Sequence, residues 1–136
     1  MICTAAEMSR TIQDFANGTD ERYTSFMFPK MLFTEGMRVV AEKAGAFWLV
    51  ELIGLRMAPL YAAAWLEGKA SIGVVKLQVD GGKAEVVLTL QDDEPPAFSE
   101  SISPTTFPEG EWLFFLGTDP VGPDEYVSTL YLPSEH

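Results

Sequence analysis

Side chains able to carry chemistry are scarce in this chain. It has one cysteine, Cys3, and one histidine, His136, at opposite ends of 136 residues. An internal disulfide is therefore impossible, and a zinc site of the usual nitrogen and sulfur ligands lacks its donors. A histidine-dependent triad has no base at a defined position, since the last residue of a chain frays. One unpaired thiol fits a reducing, cytoplasmic setting. No glycine-rich phosphate loop is present either, because Gly81-Gly82 lies between two alternating apolar runs rather than ahead of a helix. The richest apolar segments, 44–55 and 57–66, are interrupted by Glu51, Arg56 and Pro59 and fall short of the ~20 apolar residues of a membrane span. Nothing near the start resembles a basic, then apolar, secretion leader. No cofactor and no metal are expected.

The sharpest shortage is of positive charge. All nine Lys and Arg occur at or before Lys83, where nine acidic residues balance them. The last 53 residues carry eleven Asp and Glu and no Lys or Arg, and so hold the whole net charge of -11. Such a chain is repelled by phosphate backbones and anionic lipid, which argues against nucleic acid as a direct ligand.

What the chain does hold is apolar surface: 47% hydrophobic residues and 12% aromatics, far above what a disordered chain carries. At this length it reads as a single domain, 1–136, with a helical part over about 5–67 and a sheet part over about 73–132. Thr4 to Glu7 fits a capping box, and Met8, Ile12 and Phe15 recur at helical spacing, so a helix is expected over 5–16 with Asn17-Gly18 as its stop. The segment with Tyr23, Phe26, Phe28 and Pro29 reads as an ordered connector. Thr34 followed by Glu35, Met37, Val40, Ala41 and Ala44 predicts a helix from residue 35, closed by Gly45. A second helix is expected from Ala46, bearing Phe47, Trp48, Val50 and Ile53. Pro59 should break or kink it, leaving another short helical turn or two from Leu60 to Leu66.

After Ser71 the period changes to two. Val75, Leu77 and Val79, then Val86, Leu88 and Leu90, flank Gly81-Gly82 and give the strongest hairpin signal in the chain. Phe98 to Ser103 is a weaker strand. Trp112 to Leu116 reads as a strand covered on both sides, and Tyr126 to Leu132 as another, with an exposed acidic loop between them. Helices first and strands afterwards predict an α+β domain, with N-terminal helices packed on one face of a roughly five-stranded antiparallel sheet formed by the C-terminal half.

FTEGMRVVAEKAGAFWLVELI, VVKLQV, VVLTLQDD, FSESISPTTFP and the terminal LYLPSEH, taken in order, resemble a domain-of-unknown-function family of small proteins from bacteria, phages and plasmids. The resemblance spans about 33–136 and is carried above all by AEKAGAFWL and the LPSEH ending. Residues 57–72 and the first 30 depart from the pattern. The resemblance implies the fold and a mobile-element setting, with anti-CRISPR action as one form of it, and transfers no catalytic residue.

The candidate sites follow from charge and exposure. Asp92, Asp93 and Glu94 lack the ligand alternation of a calcium loop and read as a solvated turn. Together with Glu109, Glu111, Asp119, Asp124 and Glu125 they are expected to stand in for phosphates against a basic groove of a host defence nuclease or effector complex. On that reading the chain is a non-enzymatic, DNA-mimicking inhibitor, anti-CRISPR or anti-restriction. The alternative is an accessory module binding another protein, or a second copy of itself, through an apolar patch near 57–66 that includes Tyr61 and Trp65. An enzyme working through paired carboxylates remains a third class, with no pair standing out from the general acidity.

Overall fold

Thr34 closes one strand and opens one helix. The computed structural model describes residues 4–14, 22–24, 31–91, 95–103, 105, 107–122 and 125–132. Strand β2 (Met31–Thr34) runs directly into α2 (Glu35–Ala44), and the Thr34 hydroxyl accepts from the Met37 backbone N–H at 3.2 Å. Gly45 ends α2 at φ 62°, in the left-handed region, as expected for a glycine cap. Met37, Val40, Ala41 and Ala44 form the buried stripe of α2. Ahead of it lies α1 (Ala5–Asp14), whose Glu7 N–H donates to the Thr4 hydroxyl at 3.2 Å, the first half of the expected capping box. The expected end of this helix, 15–18, lies outside the described residues.

The next helical stretch does not break at Pro59. Helix α3 (Phe47–Leu52) passes through a π turn at Ile53–Met57 into α4 (Ala58–Leu66). An interior proline removes one backbone donor and drives its ring into the carbonyl four residues back. The π turn lies immediately before Pro59 and carries the wider bond from Ala58 N–H to Ile53 C=O, so that the preceding turn is already opened where the ring must fit. The expected break or kink thus takes the form of an insertion, and Phe47–Leu66 forms one helical run of 20 residues. By length and composition that run could cross a membrane, but its inner side belongs to the core: Leu49, Val50, Ile53, Met57 and Tyr61 are buried.

The sheet is larger than expected and mixed rather than wholly antiparallel. Seven strands lie in the order β1-β2-β7-β6-β3-β4-β5, with β1 (Arg22–Thr24), β3 (Gly73–Asp80), β4 (Lys83–Thr89), β5 (Phe98–Ile102), β6 (Gly110–Gly122) and β7 (Glu125–Tyr131). The five C-terminal strands pair antiparallel, as the hairpin pattern predicts. The connector around Tyr23 supplies β1, and β2 docks parallel to β7. Three- and four-residue strands are too short to show a period of two, so this end of the sheet left no trace in the pattern. Gly81 (φ 60°) and Gly82 (φ 79°) make the tight β3-β4 turn, where both central positions require positive φ.

β6 also departs from expectation. It continues past Leu116 to Gly122, so most of the predicted acidic loop is strand paired with β7. Trp112, Phe114 and Leu116 are buried, but Leu113 is 40% exposed and Phe115 is half-buried, so the strand is covered on one face rather than two. The covered face joins Val75, Leu77, Val79, Val86 and Leu88 to the helices. Leu113, Phe115, Val74, Val87 and Tyr131 share the other face by register, and the Phe115 and Tyr131 rings meet edge-on at 5.8 Å.

Tyr61 ties the two layers. Fully buried, it donates its hydroxyl to the Ser71 carbonyl at 3.0 Å and accepts from the Thr118 hydroxyl at 2.9 Å. A Cβ on Gly73 would come within 3.2 Å of the Tyr61 ring, 3.3 Å of Leu88 and 3.4 Å of the Leu116 Cβ. Glycine is needed there for the ring to lie against the sheet. Tyr61→Phe should cost about 1–2 kcal/mol through two lost hydrogen bonds. Gly73→Ala should cost about 1–3 kcal/mol through overpacking. Urea denaturation checks both, and the slope of the transition should not change.

Candidate functional site

Four of the eight acidic residues singled out in the sequence belong to the described strands or their ends. Asp92, Asp93, Glu94 and Asp124 lie outside the described residues. Glu109 and Glu111 stand at the β3-β4 hairpin end: a Glu109 carboxylate oxygen accepts from the Gly81 N–H at 3.1 Å, and Glu111 pairs with Lys76 at 3.5 Å. The register sets Glu111, Gln78 and Glu85 in one cross-strand row. Asp119 lies farther along β6, opposite Val127, and Glu125 opens β7 opposite Gly122. At about 3.3 Å per residue, Glu111 and Asp119 are ~26 Å apart along the strand. Leu113 and Phe115 occupy the strand between them.

Tyr61 is core, and therefore unavailable as a contact in the folded chain. Trp65 is half-buried and packs against the same core. The apolar surface expected near 57–66 is nevertheless present, on other residues. Leu60 is 41% and Leu66 58% exposed, with Pro59 and Ala63 also exposed on α4. The exposed positions Phe47, Glu51, Leu55, Pro59 and Ala63 recur every four residues along the helical run, which sets them on one side. This stripe was legible once the helix is known to continue through Pro59; reading a break there hid it.

A groove of about 310 Å³ lies between this helix and strand β5. Trp48, Leu52, Leu55 and Ile102 supply its apolar lining, and Glu51, Arg56 and Glu100 its charges. Among the described residues, a group of three or more His, Cys, Asp or Glu placed to hold a metal is not found.

Electrostatics concentrate elsewhere, where α2 meets β1. Arg38 donates to both Glu35 oxygens, at 3.0 and 2.5 Å, and to Glu42 at 2.8 Å. The Arg38 guanidinium also lies 5.4 Å from the Tyr23 ring centre, and Tyr23 stacks on Phe33 with ring centres 5.8 Å apart. The Arg38 hydrogen bonds, and then one from the Tyr23 hydroxyl, hold the Glu35 carboxyl down at about 2; the same pairing raises Arg38. These groups are engaged with one another and serve to clamp β1 to the start of α2.

The architecture is that of a small α+β domain, with helices on one face of a mixed seven-stranded sheet. Over residues 6–136 the chain matches the model of the family of unknown function DUF6876, and it belongs to that family. The match reaches back to residue 6 and across 57–72, so 57–72 and most of the first 30 residues, which depart from the resembled pattern, belong to the family's span. No curated protein and no solved structure matches the chain.

The Glu35 clamp gives a pH prediction. A carboxyl whose folded value lies below its ordinary 4.5 adds stability that is complete above that value and is lost as pH falls toward about 2. Glu35→Gln should therefore be less stable than the parent near neutral pH, and the difference should shrink between about 4.5 and 2. Thermal melts across that range check it; a constant difference would count against the clamp.

Proposed function

We propose that this chain is a non-enzymatic protein-binding module that docks through the outward side of its Phe47–Leu66 helix. The observation that carries this reading is that Leu60 and Leu66, 41% and 58% exposed, lie on α4 while its other side is buried in the core. A solvated helix normally turns charged side chains outward. A contiguous apolar surface on a folded domain usually marks an interface. The partner's chemistry follows from charge: a chain of net charge -11, with no Lys or Arg after Lys83, repels its own copies and attracts a protein whose apolar patch is rimmed by Lys and Arg.

A second reading is favoured by the same asymmetry. Glu85, Glu109 and Glu111 gather at the hairpin end of a sheet whose exposed side chains are fixed by strand register, so they could meet a basic groove as phosphates do. In its concrete form the protein would be a phage or mobile-element inhibitor of a bacterial nucleic-acid-handling defence complex, acting in the host cytoplasm. The apolar stretch between Glu111 and Asp119 weakens this reading, since a phosphate mimic needs a continuous run of charge.

Affinity capture from a bacterial lysate at low and high salt separates the two. For the helix reading, the same partner should be retained at both salts and lost, at least about tenfold, with Leu60→Asp or Leu66→Asp. Retention by both variants would overturn it. Loss at high salt and with Glu85→Lys and Glu111→Lys, with the helix variants unaffected, is the result expected of the mimic.

A further inference from the structure

The edge of the sheet beside the groove has properties that the helix stripe does not explain. Among the described residues β5 is the terminal strand and pairs with β4 alone, so its other edge presents backbone donors and acceptors to which no described strand pairs. Ser99, Glu100 and Ser101 are exposed along it. By register Glu100 shares a row with Val86, Leu77 and Trp112, on the face that the helices cover, and its side chain lines the groove. Glu51, Arg56, Glu100 and Trp48 all border this groove, and among the described residues their charged groups and indole N–H have no hydrogen bond or ion pair. Leu55 and Arg56 belong to the π turn, a distortion that recurs at functional sites.

We propose that the β5 edge and this groove capture an extended segment of another protein, which adds as a further strand beside β5 and lays a lysine or arginine side chain into the groove. Strand addition gives affinity through main-chain hydrogen bonds and specificity through pockets for alternate side chains. The groove's apolar lining suits the methylene stem of a basic residue, and Trp48 places an aromatic side chain beside its charge. Glu51 and Glu100 outnumber Arg56, leaving one negative charge to be matched. A charge directed inward on an edge strand ordinarily discourages pairing by apolar strands. Here Glu100 would exclude those strands and admit one that presents a cation at the facing position. Acidic segments are rejected by the last 53 residues, which carry no Lys or Arg. The site meets the helix stripe at Glu51 and Leu55, but Leu60 and Leu66, which carry the helix reading, lie outside the groove.

The test uses the full chain and a labelled, end-blocked peptide of alternating valine and lysine, followed by fluorescence anisotropy. Saturable binding is expected, weakened about tenfold or more by Glu100→Lys and by Glu51→Lys. N-methylation of alternate peptide nitrogens should abolish it, as should Ser101→Pro, with circular dichroism confirming that the variant is folded. Leu66→Asp should leave it unchanged, which keeps this result distinct from the helix reading. Equal binding of the N-methylated peptide would overturn strand addition. Equal weakening by Glu85→Lys, on the opposite face, or equal binding of a valine-glutamate peptide, would reduce the effect to general charge attraction and overturn the proposal.

Discussion

Everything outward-facing in this protein depends on how firmly its helical layer is held to the sheet, and the hold is centred on Tyr61. The ring lies where Gly73 leaves room for it, and the hydroxyl completes a chain from Thr118 on β6 to the Ser71 carbonyl ahead of β3. A buried hydroxyl without partners costs free energy, so this one fixes the rotation of α4 as well as its position. Fixing that rotation decides which residues are left outside. With Tyr61 directed inward, Leu60, Ala63 and Leu66 must remain at the surface.

The same constraint shapes the sheet. Its covered face is packed with Val75, Leu77, Leu88, Phe114 and Leu116, while its open face mixes Leu113, Phe115 and Tyr131 with Glu85, Lys76 and Glu111. On the open face Tyr131 crosses β6 at Gly117, where a Cβ would stand 3.2 Å from the ring. Glycine thus serves twice, once on each face, to let a tyrosine lie flat against backbone. Of these two tyrosine–glycine contacts, that of Tyr61 joins the two layers.

The sequence displayed this architecture unevenly. Where a period was sustained and bounded by a cap or turn, as with Thr34 and Gly45 around α2 or Gly81-Gly82 between β3 and β4, local chemistry and final structure agree. The two N-terminal strands were hidden because they are three and four residues long and gain their stability from β7, nearly a hundred residues away. No local pattern encodes such a partner. The extension of β6 was hidden by its turn-forming composition: Gly117, Pro120 and Gly122 suggest a loop, yet pairing with β7 carries the strand through them with a register shift between Pro120 and Gly122. The candidate acids were visible as a charge asymmetry, but their distribution between two ends of β6 is a property of strand length, which composition does not contain.

Tyr61 and Trp65 show the limit most clearly. An aromatic within an apolar run can belong to the core or to a contact surface, and composition does not distinguish the two. What distinguishes them here is phase. A π turn inserts one residue into the helical repeat, so positions after Met57 are rotated by about 100° relative to an uninterrupted helix. The rotation brings Tyr61 to Gly73 and turns Leu60 and Leu66 outward, and it also places Leu55 and Arg56 at the groove beside β5. Pro59 explains why the turn is opened at this point rather than elsewhere. A single residue that reads as a helix breaker thereby links the anchor between the layers to both surfaces proposed for binding.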